Sequence, residues 1–214
     1  MRTVKTMDIK KTIEALAKEK APGPIPSFQV FHIIKTLEQI SQSSIGRGLL
    51  AKELGIGEGA TRTLIDRLRN EEVIVTSRSG CFLTEKGEEI WKEVKKILPS
   101  KIKLEKSKLT LSTCNVAILV KGKADEVRLG MEQRDAAFLA GARGATTLIL
   151  NGGKLTMPGS DVDIAKEDPN VYEKIRCSLK PEEGDAVIIG CADTRRIADY
   201  GAIAAAWTLI NDDR

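Results

Sequence analysis

The sequence predicts an α+β protein of two domains, and three observations support this prediction. Apolar residues recur at helical spacing up to residue 98, whereas β-branched runs separated by turn signals dominate after residue 108. The basic segment between them, KIKLEKSK, is a linker or an edge strand, and the composition changes after it. Charge divides in the same way: residues 1–108 hold 21 Lys+Arg against 14 Asp+Glu, and residues 109–214 hold 13 against 16.

An N-terminal helical arm and linker, residues 1–24, come first. Ile9, Ile13 and Leu16 share one helical face and predict a helix over residues 3–20, which the proline-rich segment 21–26 ends. Such an arm can pack on the core, pair with a partner chain or lie along a phosphate backbone. We expect a solvated or dimerising helix rather than a phosphate contact.

The next domain, residues 25–104, contains helix patterns at 27–40, 48–54, 60–70 and 85–98. A turn, Gly55-Ile56-Gly57, joins the second pattern to the third, because glycine adopts positive φ without steric cost. We expect the following side chains to face inwards: Leu49, Leu50, Leu54, Thr61, Leu64, Ile65 and Leu68. Short strands at 73–75 and 82–83, linked by a tip at 77–80, follow the third helix. This order is typical of a helix-turn-helix followed by a wing.

For the last domain, residues 105–214, the sequence predicts the order β-α-β-β-β-α in two layers. Strand-like runs lie at 114–120, 146–150, 154–157 and 185–190, and helical composition lies at 125–140 and 194–209. Asn151-Gly152-Gly153 predicts a tight hairpin turn. The stretch 159–182 is polar and irregular, and its pattern is compatible with a short helix near residues 171–177.

Two segments carry a resemblance to known families. LAKELGIGEGATRTLIDRLRNEEVI, followed by TEKG, resembles the winged-helix domains of the MarR and related repressor groups. EQRDAAFLAGARGATTLIL and GDAVIIGCAD resemble a small group of archaeal two-domain proteins with an uncharacterised C-terminal domain. The resemblance implies that the third helix pattern is a recognition helix that enters the major groove of double-stranded DNA.

A DNA-binding transcriptional regulator is therefore the favoured function. Outward-facing residues of the recognition helix are the candidate contacts, because arginine pairs with guanine edges or phosphate. With the wing tip, they are Gly59, Arg62, Thr63, Arg69 and Arg78. Winged helices also serve protein–protein or RNA contacts, and these alternatives stay open.

The C-terminal domain is expected to dimerise the protein or to sense a small molecule. The alanine-rich helix with Trp207 and an open sheet face favour a homodimer. Candidate ligand residues are Arg128, Arg134, Asn151 and Gly152. The alternative is a solvated helix face with pairs such as Arg128–Glu132.

No catalytic, metal or cofactor site is predicted. The sequence has no GxSxG, HExxH or phosphate-loop motif. Its four cysteines form no CxxC pair, and it contains a single histidine. A repressor–enzyme fusion is the less favoured alternative. Asp193 is expected to cap the last helix and pair with Arg195 or Arg196. No apolar run reaches the roughly 18 residues of a membrane span, and no secretory leader is evident, so we expect a cytoplasmic protein.

Overall fold

The structure is a computed structural model that describes residues 8–18, 26–160 and 162–210. The chain divides into two compact units, Met1–Val94 and Lys95–Asn211. The first unit and the helix that leads out of it contain α1 Ile9–Ala17, α2 Val30–Gln42, α3 Arg47–Leu54, α4 Glu58–Asn70, β1 Ile74–Ser77, β2 Gly80–Leu83 and α5 Glu85–Ile97. The predicted helix over residues 3–20 extends beyond the described residues at both ends.

The turn between α3 and α4 forms as predicted. Gly55 lies in the left-handed region with φ 64° and ψ 29°, and its N–H closes the end of α3. The four residues predicted to form the inner face of α4, Thr61, Leu64, Ile65 and Leu68, are buried. The prediction for Leu49 is wrong, since its side chain is 55% exposed. Leu50 and Leu54 form the buried face of α3, and the neighbouring position lies about 100° away around the helix.

The wing is the antiparallel hairpin of β1 and β2, with Ser77 paired to Gly80 at its tip. The N–H of Cys81 donates to the carbonyl of Ile45 at 3.0 Å, which joins the wing to the chain just before α3. Gly80 sits against the Ile45 backbone with φ 127°, so a side chain there would collide with it. The wing is therefore held in a fixed place beside α3.

Helix α1 packs on α2 within the first unit, which is the first of the three roles that the sequence left open. Its residues Ile9, Ile13 and Leu16 are buried. The buried Arg67 of α4 donates to the carbonyls of Leu16 at 3.4 Å and Lys18 at 2.5 Å. A cation suits these carbonyls because they lie at the negative end of the α1 dipole.

We expect Arg67→Met to lower the free energy of unfolding by about 1.5–3 kcal/mol, because the buried Leu16 carbonyl and the part-buried Lys18 carbonyl lose a charged donor. Urea unfolding measures the loss. Arg69→Met is the matched control on the same helix, where the side chain is 53% exposed, and a change within about 0.5 kcal/mol is expected there. Equal effects of the two substitutions would contradict the role assigned to Arg67.

The second unit is built on one five-stranded sheet. Its elements are β3 Lys101–Leu104, β4 Cys114–Val120, α6 Met131–Leu139, β5 Gly144–Asn151, β6 Lys154–Thr156, α7 Ile164–Glu167, α8 Pro169–Ser178, β7 Ala186–Ala192 and α9 Arg195–Trp207. The strand order is β3-β4-β7-β5-β6, and every neighbouring pair is antiparallel. The sequence predicts a boundary near residue 105, whereas the units divide after Val94 and the segment 101–104 forms an edge strand.

Helices cover both faces of this sheet, which differs from the predicted β-α-β-β-β-α order in two layers. On one face α6 packs on β5, and α9 packs on β4 and β7. On the other face Val187, Ile189 and Cys191 join a core that includes residues of α7 and α8. Two helices therefore stand between β6 and β7, and they cover the face that the sequence left open. The α+β class itself is confirmed.

Candidate nucleic-acid interface

An open groove of about 630 Å³ lies between the start of α3, the outer face of α4 and the wing. Four arginines and two acids line it: Arg47, Arg62, Arg69, Arg78, Glu58 and Asp66. We call this surface the arginine groove. Its charged lining is net positive because the guanidinium groups outnumber the carboxylates two to one.

Two of these arginines are partly neutralised by neighbours. Arg69 pairs with Asp66 at 3.0 Å, and Arg47 approaches Glu58 at 3.9 Å. All four side chains are about half exposed or more, so these ion pairs are weak. Another anion can therefore replace the carboxylate beside each arginine. Arg62 and Arg78 are exposed and form no ion pair or hydrogen bond within the described part of the chain. These two guanidinium groups are available to an anionic partner.

The arginine groove brings together three of the five residues predicted from the sequence, namely Arg62, Arg69 and Arg78. Gly59 and Thr63 lie on the exposed face of α4 outside the lining, where the Thr63 hydroxyl donates to the Gly59 carbonyl at 3.1 Å. Arg47 also lines the groove but was not among the predicted residues. The signal was present in Gly46-Arg47-Gly48, which places an arginine at the very start of a helix.

The start of α4 leaves its backbone donors accessible. Its N-cap, Gly57, has no side chain to accept from the first-turn N–H groups. A methyl group built on Gly57 or Gly59 would meet no atom within 4 Å. A phosphate can therefore approach these N–H groups closely. Glu58 in the same turn opposes such an approach, although Arg47 offsets part of its charge.

We expect Gly59→Ala to raise the free energy of unfolding by about 0.5–1 kcal/mol, because alanine costs less entropy than glycine in a helix with open space around it. Gly87→Ala is the contrasting variant, since its new methyl group would lie 2.1 Å from the Val73 carbonyl oxygen. Urea unfolding of both proteins should give shifts of opposite sign. A destabilised Gly59→Ala protein would contradict the open surroundings of this position.

A buried thiol borders the arginine groove. Cys81 lies at its edge, and burial raises the pKa of this thiol, which keeps it neutral.

Across residues 8–18, 26–160 and 162–210, His, Cys, Asp and Glu side chains nowhere gather in a group of three suited to a metal ion. Over the same ranges, no helix combines the length and apolar character that a bilayer span requires.

Three of the four candidate ligand residues of the second unit, Arg128, Arg134 and Gly152, are engaged with an acidic group nearby. Arg128 lies 3.6 Å from Glu132, and Arg134 lies 3.0 Å from the adjacent Asp135. At the hairpin that begins at Asn151, the N–H groups of Gly152 and Gly153 donate to Glu183 at 2.6 and 3.1 Å. The Glu183 carboxylate thus occupies the position that an anionic ligand would take at this turn.

The prediction for Asp193 is wrong. Thr194 caps α9 by accepting from the N–H of Ile197, and the Asp193 carboxylate points instead to Arg143 at 2.7 Å and Ser112 at 3.0 Å. The hydrogen bond from Arg143 lowers the pKa of Asp193. The Asp193 carboxylate therefore links the segment that precedes β4 to the segment that precedes β5, away from the arginines that follow Asp193 in sequence.

Comparison with known proteins supports the division into two parts. Residues 28–98 match the family model of the CggR N-terminal DNA binding domain, and residues 111–209 match a domain of unknown function (DUF4443). Among solved structures, hypothetical protein PH0730 from Pyrococcus horikoshii OT3 is 28% identical, with a TM-score of 0.70. The similarity covers 86% of this chain and 93% of that one. No significant match is found among curated proteins.

The arginine groove therefore lies on a part of the chain that is similar to a DNA-binding domain. The predicted architecture, a DNA-binding domain followed by an uncharacterised domain, agrees with these matches. The narrower resemblance to the MarR group stays a prediction.

Proposed function

We propose that this protein is a cytoplasmic transcriptional regulator that binds double-stranded DNA as a homodimer. The observation that carries the proposal is the arginine groove, in which Arg62 and Arg78 project from α4 and the wing without an acidic partner among the described residues. Similarity of residues 28–98 to a DNA-binding domain supports the same interpretation.

In this proposal α4 enters the major groove. Arg62 then reads base edges, since a guanidinium donates two hydrogen bonds to guanine. Arg78 at the wing tip contacts the phosphate backbone, and Arg69 exchanges Asp66 for a phosphate. Thr63 and the accessible N–H groups near Gly59 lie on the exposed face of the same helix. The arginines supply both sequence reading and salt-dependent affinity.

Selection of genomic DNA fragments by the purified full chain at moderate salt tests the proposal. We expect enrichment of one motif with two-fold symmetry, because a symmetric dimer reads two half-sites. Arg62→Ala should reduce the enrichment of that motif among the selected fragments. Structured RNA added as a competitor should not displace the DNA. Recovery of fragments without any common motif, or preferential binding of the RNA, would overturn the proposal in favour of another partner.

The homodimer needs a surface outside α9. Most residues of α9, from Ala198 to Trp207, are buried against the helix's own unit, so the alanine-rich face is already covered. A small-molecule effector at Arg128, Arg134, Asn151 and Gly152 is a weaker proposal, because Glu183 occupies the backbone donors of Gly152 and Gly153. The interface must therefore be sought among the exposed apolar groups.

A further inference from the structure

Exposed apolar side chains of the second unit concentrate around one helix. Among its described residues, six large apolar side chains are exposed, and five of them lie on α6 or beside it. These five are Leu111 at 60%, Leu129 at 63%, Met131 at 54%, Phe138 at 51% and Leu139 at 82% exposed. A concentration of exposed apolar side chains on a globular domain commonly marks an interaction surface.

The side chains on α6 form a stripe opposite its buried face. Gln133 and Ala137 face the domain, and Met131, Phe138 and Leu139 face outwards. Leu111 extends the stripe beyond the helix, because a methyl group built on Gly144 would lie 2.9 Å from Leu111 and 3.7 Å from Phe138. We call this surface the α6 stripe.

A charged pair sits at the centre of the α6 stripe. Arg134 and Asp135 pair at 3.0 Å, and both are half exposed or more. They occupy the two middle positions between Met131 and Phe138. The stripe is therefore apolar at both ends and carries one charge of each sign beside its midpoint.

We propose that the α6 stripe is the dimer interface, with α6 of a second copy of this chain lying antiparallel on it. A two-fold axis between Arg134 and Asp135 places Met131 against the partner's Phe138. The same axis places Arg134 against the partner's Asp135, so apolar ends and opposite charges match in one register. Two-fold interfaces are self-complementary in this way. The inference rests on the homodimer of the proposed function and names its surface.

Sedimentation equilibrium of the full chain tests the surface. We expect the wild-type protein to dimerise and Phe138→Asp to weaken dimerisation at least about tenfold, since a charge then replaces the aromatic group that packs against the partner's Met131. Val162→Asp is the matched control, because Val162 is exposed in the same unit and is not one of the side chains that form the α6 stripe. Thermal unfolding confirms that the variants fold. A monomeric wild-type protein, or a dimer equally insensitive to both variants, would overturn the inference.

A mixing experiment tests the register. Arg134→Glu and Asp135→Arg each create like charges across the two-fold axis, so each variant alone should dimerise weakly. Mixed together, they should form a heterodimer, because the new carboxylate of the first variant then meets the new guanidinium of the second. The unchanged Asp135 of the first variant meets the unchanged Arg134 of the second in the same way. Each single variant lacks the native Arg134–Asp135 pair within its own chain, so recovery on mixing can come only from pairing between chains.

The absence of a heterodimer in the mixture would overturn this register. DNA binding is measured separately on the same proteins, with the genomic motif as probe. If the protein sediments as the expected dimer but binds no DNA, the proposed function fails and the α6 interface stands. If DNA binds while Phe138→Asp leaves the dimer intact, the interface fails and the proposed function stands.

Discussion

Gly190→Ala is expected to lower the free energy of unfolding of the second unit by at least about 3 kcal/mol. A methyl group on Gly190, in the central strand β7, would lie 2.4 Å from the Ala198 carbonyl oxygen and 2.5 Å from the Ala202 nitrogen. Both atoms belong to the backbone of α9, so no rotamer change relieves the collision. The helix has to move off the sheet, which opens the core over β7.

The two tryptophans allow the effect to be assigned to one unit. Trp207 lies buried in the second unit and Trp91 lies in the first. In a Trp91→Phe background, urea unfolding followed by fluorescence therefore reports the second unit alone. Gly59→Ala adds the same methyl group where nothing lies within 4 Å, and it should leave the Trp207 transition unchanged. An unchanged transition in Gly190→Ala would mean that α9 does not pack this closely on β7.

The second large effect is expected in DNA affinity. Arg62→Ala should weaken binding to the selected motif about 10- to 100-fold and reduce discrimination against altered bases, because a lost bidentate contact costs roughly 1–3 kcal/mol. Arg78→Ala should weaken all sequences alike and reduce the slope of log affinity against log salt by about 1. Titration of a labelled duplex at several salt concentrations measures both quantities.

Arg128→Ala is the matched control for both variants. It removes an exposed cation from the second unit and should leave affinity and salt slope unchanged. Arg62→Lys separates charge from geometry, because lysine keeps the charge but cannot make the paired hydrogen bonds. Loss of sequence preference with retained salt dependence in Arg62→Lys is the expected result. Equal losses in Arg128→Ala and Arg62→Ala would contradict a specific role for the arginine groove.

Local pattern was enough to predict most of the first unit. The apolar spacing predicted the buried face of α4 correctly, because helical periodicity depends only on residues three and four positions apart. The tolerance of glycine for positive φ predicted the left-handed turn at Gly55. The hydroxyl of Thr84 caps α5 by accepting from the N–H of Gly87 at 3.1 Å. These features are local, and the described structure agrees with them.

The candidate site could be predicted only in part. The outward positions of α4 and the wing tip follow from periodicity and from the hairpin, so Arg62, Arg69 and Arg78 could be found. Arg47 was not predicted: its place at the start of a helix is visible in the sequence, but its approach to Glu58 of α4 depends on how α3 crosses that helix. The pairing of Arg47 also depends on a neighbour from another element, Glu58 of α4, whereas Arg69 pairs with Asp66 of its own helix.

The sequence by itself determined the helix-turn-helix with its wing, the basic character of the first half and the α+β class. Only the tertiary structure decided which surfaces remain open. The polar stretch before β7 folds into α7 and α8 because Ile164, Val171 and Ile175 pack in the core on one face of the sheet. That closes the face expected to dimerise and leaves the α6 stripe exposed. Burial is set by contacts between segments distant in sequence, and local periodicity does not encode which segment covers which face.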